Sequence, residues 1–165
     1  SFGAKSAEVA GKYADGYLYL LDRSGSQRYK EVIWPAVERG AKSMGRDIET
    51  IERISGVDTS YSEDYDEAVE SSLIWRAALP PPLYKYPIYD PREVEELGKF
   101  VGKEQLAENR LITTNPEDYI KALELRIKLG FQHIYIGSCS PDQEKFFSIM
   151  KRIVIPYIMS TYGNN

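Results

Sequence analysis

Few side chains in this sequence can do covalent or acid–base chemistry, and that scarcity narrows the options. There is one histidine, His133, so multi-histidine zinc sites are excluded and any nucleophilic triad has a single possible base. His133 falls in the run Phe131-Gln132-His133-Ile134-Tyr135-Ile136, alternating with Tyr135. Within so apolar a strand a hydrogen-bonded core histidine is expected, rather than a general base. The one cysteine, Cys139, follows Gly137-Ser138 at the end of that strand, close to a helix N-terminus that favours a thiolate; a packed or idle thiol is the expectation. Metal-ligand spacing is absent. The segment Phe2-Gly3-Ala4-Lys5 reads as the start of a helix, whose first N–H groups lack intrahelical partners and whose dipole favours an anion.

The elements that must position these groups alternate. Gly16 to Leu21, Arg53 to Thr59 and Phe131 to Ile136 read as strands, apolar on both faces in the manner of parallel strands covered by helices. Gly56, inside the second, signals a bulge or a close backbone approach. Helices follow each strand. Asn115-Pro116-Glu117-Asp118 orders an N-cap, a first-turn proline and two acids, and Gly130 closes that helix, whose inner face is Tyr119, Leu123 and Ile127. Ser140-Pro141-Asp142-Gln143 has capping-box spacing ahead of Phe146, Phe147, Met150, Ile153 and Val154. A helix from near Ser62 presents Tyr65, Ala68, Val69 and Leu73; an earlier one presents Tyr29, Val32, Ile33 and Val37 and is bent by Pro35. Ala7, Ala10, Gly11 and Ala14 let the first helix sit close to a sheet. Between Leu79 and Asn109, Pro80-Pro81-Pro82, Pro87 and Pro91 forbid a long element and leave short helices at 90–100 and 103–108, an excursion above the strand ends. Glu93, Glu95 and Glu96 read as a solvated helix face. The fold class is α/β with right-handed crossovers.

The chain has 165 residues, 42% apolar and 28% charged, which suits one well-cored domain and excludes global disorder. Twenty-five acids against 21 bases argue against a nucleic-acid footprint. No apolar stretch nears the ~20 residues of a membrane span, and the first residues lack a signal-peptide core. A lone cysteine fits a reducing compartment, so a cytoplasmic location is expected.

The strand count does not close: three or four strands make no barrel, and a helix starts the chain with no strand before it. The residues themselves explain why. Ser1 to Tyr17, SFGAKSAEVAGKYADGY, resembles the segment midway through luciferase-like flavin and deazaflavin oxidoreductases, where a glycine turn leads into a small-residue helix and an Asp-Gly opens the next strand. Trp75, Tyr89-Asp90-Pro91-Arg92-Glu93-Val94-Glu95, Asn109 to Glu117, Gly130 to Ile134 and Asp142 to Phe146, with Pro156 closing the helix, are similar to the coenzyme F420-dependent glucose-6-phosphate dehydrogenase branch. Such enzymes are TIM (β/α)8 barrels, which need about 250 residues or more. The resemblance therefore implies that residues 1–165 are the C-terminal half of the barrel, with a Pro-rich excursion near 79–109.

From the resemblance follow expectations for each site. Ser1, Phe2, Gly3 and Ala4 would meet the phosphate-bearing tail of F420, or of FMN in a monooxygenase variant. Arg23, Lys85 and Arg110 match the cations that grip the sugar phosphate in that branch; converging cations suit a phosphate dianion. The acid–base groups belong to the absent first half, so no catalytic residue is assigned. The implied reaction is hydride transfer from a hydroxyl-bearing carbon of an anionic small molecule such as glucose 6-phosphate. An F420-dependent alcohol dehydrogenase or a methylenetetrahydromethanopterin reductase relative keeps the fold and changes the substrate, and a non-catalytic half-barrel assembly subunit is the rival from another class. A homo-oligomer, or a chain supplying the other half-barrel, is the expected partner; nucleic acid and membrane are not.

Overall fold

The computed structural model describes residues 3–21, 25–80 and 85–163. In chain order the elements are α1 (Ala4–Tyr13), β1 (Gly16–Leu20), α2 (Gly25–Arg28), α3 (Trp34–Ser43), β2 (Glu52–Tyr61), α4 (Tyr65–Ser72), α5 (Pro91–Gly98) and α6 (Lys103–Asn109). Then come β3 (Leu111–Thr113), α7 (Pro116–Lys128), β4 (His133–Ser138), α8 (Gln143–Ile149) and α9 (Ile155–Tyr162). The chain is α/β: β1 and β3 each pair in parallel with β2, along different stretches of it, and β4 also pairs with β2. It divides into two compact units, Ser1–Val57 with Ile120–Gly137 and Asp58–Tyr119 with Ser138–Asn165.

In the first unit β1 buries Tyr17 and Tyr19 on one face and leaves Leu18 and Leu20 exposed on the other. The strand is therefore covered on one side only, where the continuous apolar run predicted both. Its buried face meets a chain of rings: Tyr19 to Tyr29 at 5.4 Å, Tyr29 to Phe131 at 4.5 Å and Tyr29 to Trp34 at 6.2 Å. Each such pair adds roughly 0.5–1.5 kcal/mol beyond its buried area. Burial pushes the Tyr29 hydroxyl up to about 12, against a smaller opposing effect of Arg53.

The small residues of α1 serve a helix, not a sheet. A Cβ on Gly11 would sit 2.0 Å from the carbonyl oxygen of Val37, and one on Gly40 would sit 2.0 Å from that of Glu8. Two glycines, one from α1 and one from α3, thus let the helix backbones touch. Pro35 does not simply bend its helix. Residues Tyr29–Ile33 form a π-helical turn, and the Trp34 N–H reaches back five residues to Tyr29 O. Proline lacks an N–H and its ring clashes with the carbonyl four residues back; widening the turn relieves both problems. The extra residue rotates the face, so Val32 is exposed and Ala36 takes its buried place. The same device recurs at Met150–Val154 ahead of Pro156, and α9 runs on through that proline where the sequence predicted an end.

α7 is bounded as its sequence dictates. Asn115 Oδ1 accepts the Glu117 N–H at 3.0 Å. At the far end Gly130 takes φ +85°, Phe131 N–H reaches Arg126 O and Gly130 N–H reaches Ile127 O, which is a Schellman closure. Elsewhere the caps move. α4 starts at Tyr65 with Asp64 as its cap, later than the expected start near Ser62, so Tyr65 is exposed and Ser72 is buried instead; Asp142, not Ser140, caps α8 through the Lys145 N–H. The glutamates 93, 95 and 96 of α5 are exposed.

Candidate functional site

Barrel-type α/β proteins place chemistry at the carboxyl ends of their parallel strands. In the second unit the ends of β2 and β4 are rich in hydroxyls. Ser60 Oγ lies 2.8 Å from Ser71 Oγ, Ser138 Oγ lies 2.7 Å from Ser140 Oγ, and Ser140 Oγ accepts the Tyr61 N–H at 2.8 Å. Thr59 Oγ1 contacts Leu111 O at 2.5 Å and the Tyr119 hydroxyl at 2.8 Å. Burial raises Tyr119 to about 12, partly offset by its Thr59 hydrogen bond. Cys139 is a half-buried packed thiol, with Sγ 3.2 Å from Thr59 O and 3.4 Å from Ser72 Oγ. These groups bond mainly to one another and to backbone, so they fix the strand ends.

β3 was not legible as a strand, and it carries the charged centre of this unit. The parallel register pairs Thr59 with Leu111 and Ser60 with Ile112, so the preceding step sets Arg110 beside Asp58. The two side chains form an ion pair through Arg110 Nη1, with the arginine side chain 9% exposed and the aspartate 37%. The guanidinium carbon of Arg110 stands 5.6 Å from the Trp75 ring centroid, in cation–π range. Its Nε is buried with no hydrogen-bond partner. Elsewhere in this unit a groove of about 350 Å³ is lined by Glu70, Leu73, Ile74, Arg76, Ala77 and Glu95.

Of the other residues singled out in the sequence, Ser1, Phe2 and Arg23 lie outside the described residues. Lys85 is exposed in a turn of the second unit. Within the second unit Arg110 is joined to Asp58 and Trp75. Gly3 is the N-cap of α1, with extended backbone and no side chain capping the helix; Ala4 is the first helical residue. No acidic residue occupies the first turn of α1, and a Cβ on Gly3 would meet only Ser6 Oγ, at 3.8 Å. Among the described residues no side chain takes up the first N–H groups of α1, the kind of helix start that suits an anion.

His133 is not a core histidine. Its side chain is 62% exposed, on the uncovered sheet face of the first unit, with Nε2 3.5 Å from a Glu52 oxygen. Its strand is too short of neighbours on that side to bury it. On the same face Tyr135 lies against Gly56, where a Cβ would come within 2.3 Å of the phenol ring, the close approach that Gly56 signalled. On the covered side the buried Arg126 donates from Nε and Nη2 to Gly56 O, at 3.2 and 2.9 Å. Among the described residues no group of three or more His, Cys, Asp or Glu side chains is placed to hold a metal, and no helix is long and apolar enough to cross a membrane.

No family model matches the chain. It is 28% identical over 156 residues to an F420-dependent glucose-6-phosphate dehydrogenase of Kribbella flavida, a match covering 94% of this chain and 46% of that protein. A solved F420-dependent secondary alcohol dehydrogenase, in complex with an F420–acetone adduct, superposes with a TM-score of 0.82 at 33% identity, over 94% of this chain and 46% of that one. The coenzyme F420-dependent tetrahydromethanopterin reductase of Methanopyrus kandleri gives a TM-score of 0.62 at 25% identity, over 95% and 49% respectively. The chain spans about half the length of the curated relatives it matches.

Proposed function

We infer that this chain, which corresponds to the C-terminal half of a luciferase-like F420-dependent oxidoreductase, supplies the cofactor-tail and substrate contacts of a hydride-transfer enzyme. The observation that carries this reading is a match along nearly the whole chain, in sequence and in fold, to half of enzymes named for F420. The residues at the start of α1 fit such a group. Gly3 caps the helix without a side chain, and the first turn of α1 carries no acid to repel a phosphate. Ser1, Phe2, Gly3 and Ala4 would hold the phosphate-bearing tail of F420; FMN, which also carries a phosphate, is the alternative. The chemistry that the deazaflavin supplies when bound is acceptance of a hydride from a hydroxyl-bearing carbon.

This half contributes binding and orientation. Arg110 and Lys85 are assigned to the substrate, as Arg23, outside the described residues, is by the resemblance, and the proton-handling groups are assigned to the remaining barrel. In the first unit Leu18, Leu20 and Tyr135 leave an apolar sheet face 45%, 39% and 43% exposed. That is the surface a half-barrel offers to the rest of its barrel, whether from the same polypeptide or another chain. The test is fluorescence titration of F420 against the protein. Saturable binding is expected, weakened about tenfold by Gly3→Asp, which puts a carboxylate at the helix start. Binding indifferent to that change would remove the tail assignment, and absence of any F420 binding would remove the function.

A further inference from the structure

We propose that Asp58 is a specificity-determining residue: by holding Arg110 it cancels the charge of the buried cation assigned to a phosphate dianion, and it suits the site to an uncharged hydroxyl- or carbonyl-bearing substrate. The inference rests on the reading that Arg110 faces the substrate. The pair is built into the sheet. The β2–β3 register that aligns Thr59 with Leu111 brings residues 58 and 110 side by side, so the contact does not depend on one long side chain wandering over a surface. Arg110 is nine-tenths buried, and its charge is already matched by one carboxylate. An incoming phosphate would have to displace Asp58 from a largely desolvated partner, or sit beside it against like-charge repulsion. Lys85 is exposed, where solvent and salt screen it, so it restores little of the lost attraction.

One of the five N–H groups of Arg110 is buried without an acceptor. It is the Nε–H, while Trp75 lies over the guanidinium. That N–H suits a neutral oxygen, as of an alcohol or a ketone, whereas a phosphate dianion calls for net positive charge, which Asp58 removes from Arg110. A buried donor without an acceptor is costly enough to mark where a ligand oxygen is wanted.

The test titrates the protein with inorganic phosphate and, separately, with 2-propanol, following the Arg110 Nε–H resonance. Asp58→Asn is expected to strengthen phosphate binding about 10- to 100-fold over the wild type, because the freed guanidinium then offers a charge-assisted bond. Arg110→Met in that background should abolish the gain, and Asp58→Glu should behave as the wild type. The response to 2-propanol should be the same in wild type and Asp58→Asn. A purely structural role for Asp58 would not move the ratio between the two probes. Phosphate affinities within twofold of each other in wild type and Asp58→Asn would overturn the proposal. Should Asp58→Asn not fold, the wild type decides alone: saturation by phosphate below about 1 mM overturns the proposal, and no saturation there supports it. F420 titration of the same preparations separates the two readings. Loss of F420 binding with the phosphate contrast intact removes the cofactor reading and leaves the charge assignment standing.

Discussion

Replacing Gly11 by alanine puts the helix crossing of the first unit to a test in which the sign of the result is the answer. In an ordinary helix the change raises stability by up to about 1 kcal/mol, since alanine is the better helix former. Here the new Cβ would lie 2.0 Å from Val37 O and 2.9 Å from Ala41 N, both backbone atoms that cannot rotate away. Carbon–oxygen contacts between helices rest at about 3.3–3.6 Å, so α1 and α3 must part by about 1.3 Å. A gap of that size forfeits well over a quarter of the dispersion energy of the atoms lining it. Those atoms include Ala7, Val37 and Ala41, all within 1% of full burial. Overpacking of this kind costs about 1–3 kcal/mol in general, and two backbone clashes place the site at the upper end. After the propensity gain is deducted, a net loss of about 2 kcal/mol is expected, read as a lower urea midpoint with unchanged slope. Gly40→Ala should match it, because it meets Glu8 O at the same 2.0 Å. A Gly11→Ala protein as stable as the parent, or more so, would refute the backbone-contact packing of these helices.

Three other outcomes follow from the same kind of accounting. Gly130→Ala forces a side chain into φ +85° and should cost about 1–2 kcal/mol in denaturant melts, since the Schellman closure of α7 needs that left-handed residue. Arg126→Met should cost about 2–3 kcal/mol, because Gly56 O loses both guanidinium donors in a buried position; a melt unchanged within error would contradict it. Tyr29 and Tyr119, each raised from 10.0 to about 12 by burial, keep their protons longer folded than unfolded. Their contribution to stability is complete below pH 10 and is lost as pH climbs from there through about 12, so phenolate absorbance should show a late class that shrinks by one group in Tyr119→Phe.

Local signals were the legible ones. Asn115, Pro116 and Gly130 bracket α7 because a cap, a proline and a left-handed glycine act through bonds a few residues long. Gly56 announced a close approach and Tyr135 fills it. What escaped depends on partners far along the chain. β3 is three residues between Arg110 and Thr114, too short for any periodicity, and exists because β2 offers it an edge. The Asp58–Arg110 pair spans 52 residues and follows only from that pairing. His133 reads as core from its apolar neighbours, yet the alternation that buries one side of a strand says nothing of whether the other side is covered. Ala7 and Gly11 announced close packing but pointed to a sheet, whereas the partner is α3, whose Gly40 is the other half of the contact.

The two widened turns, at Tyr29–Ile33 and Met150–Val154, bear on how this chain can change length. Each holds one residue more than an α-helical path, and each sits just ahead of a proline. Deleting a residue from either turn restores α-helical spacing, which throws the proline ring against a carbonyl and swings the preceding side chains by about 100°. Replacing the proline alone keeps the surplus residue with nothing left to accommodate. The deletion and the replacement are therefore each unfavourable singly and compatible together. Lineages descending from this sequence should keep both features or lose both, a reciprocal epistasis written into helix length, with descendants carrying only one change rare at 29–35 and at 150–156 alike.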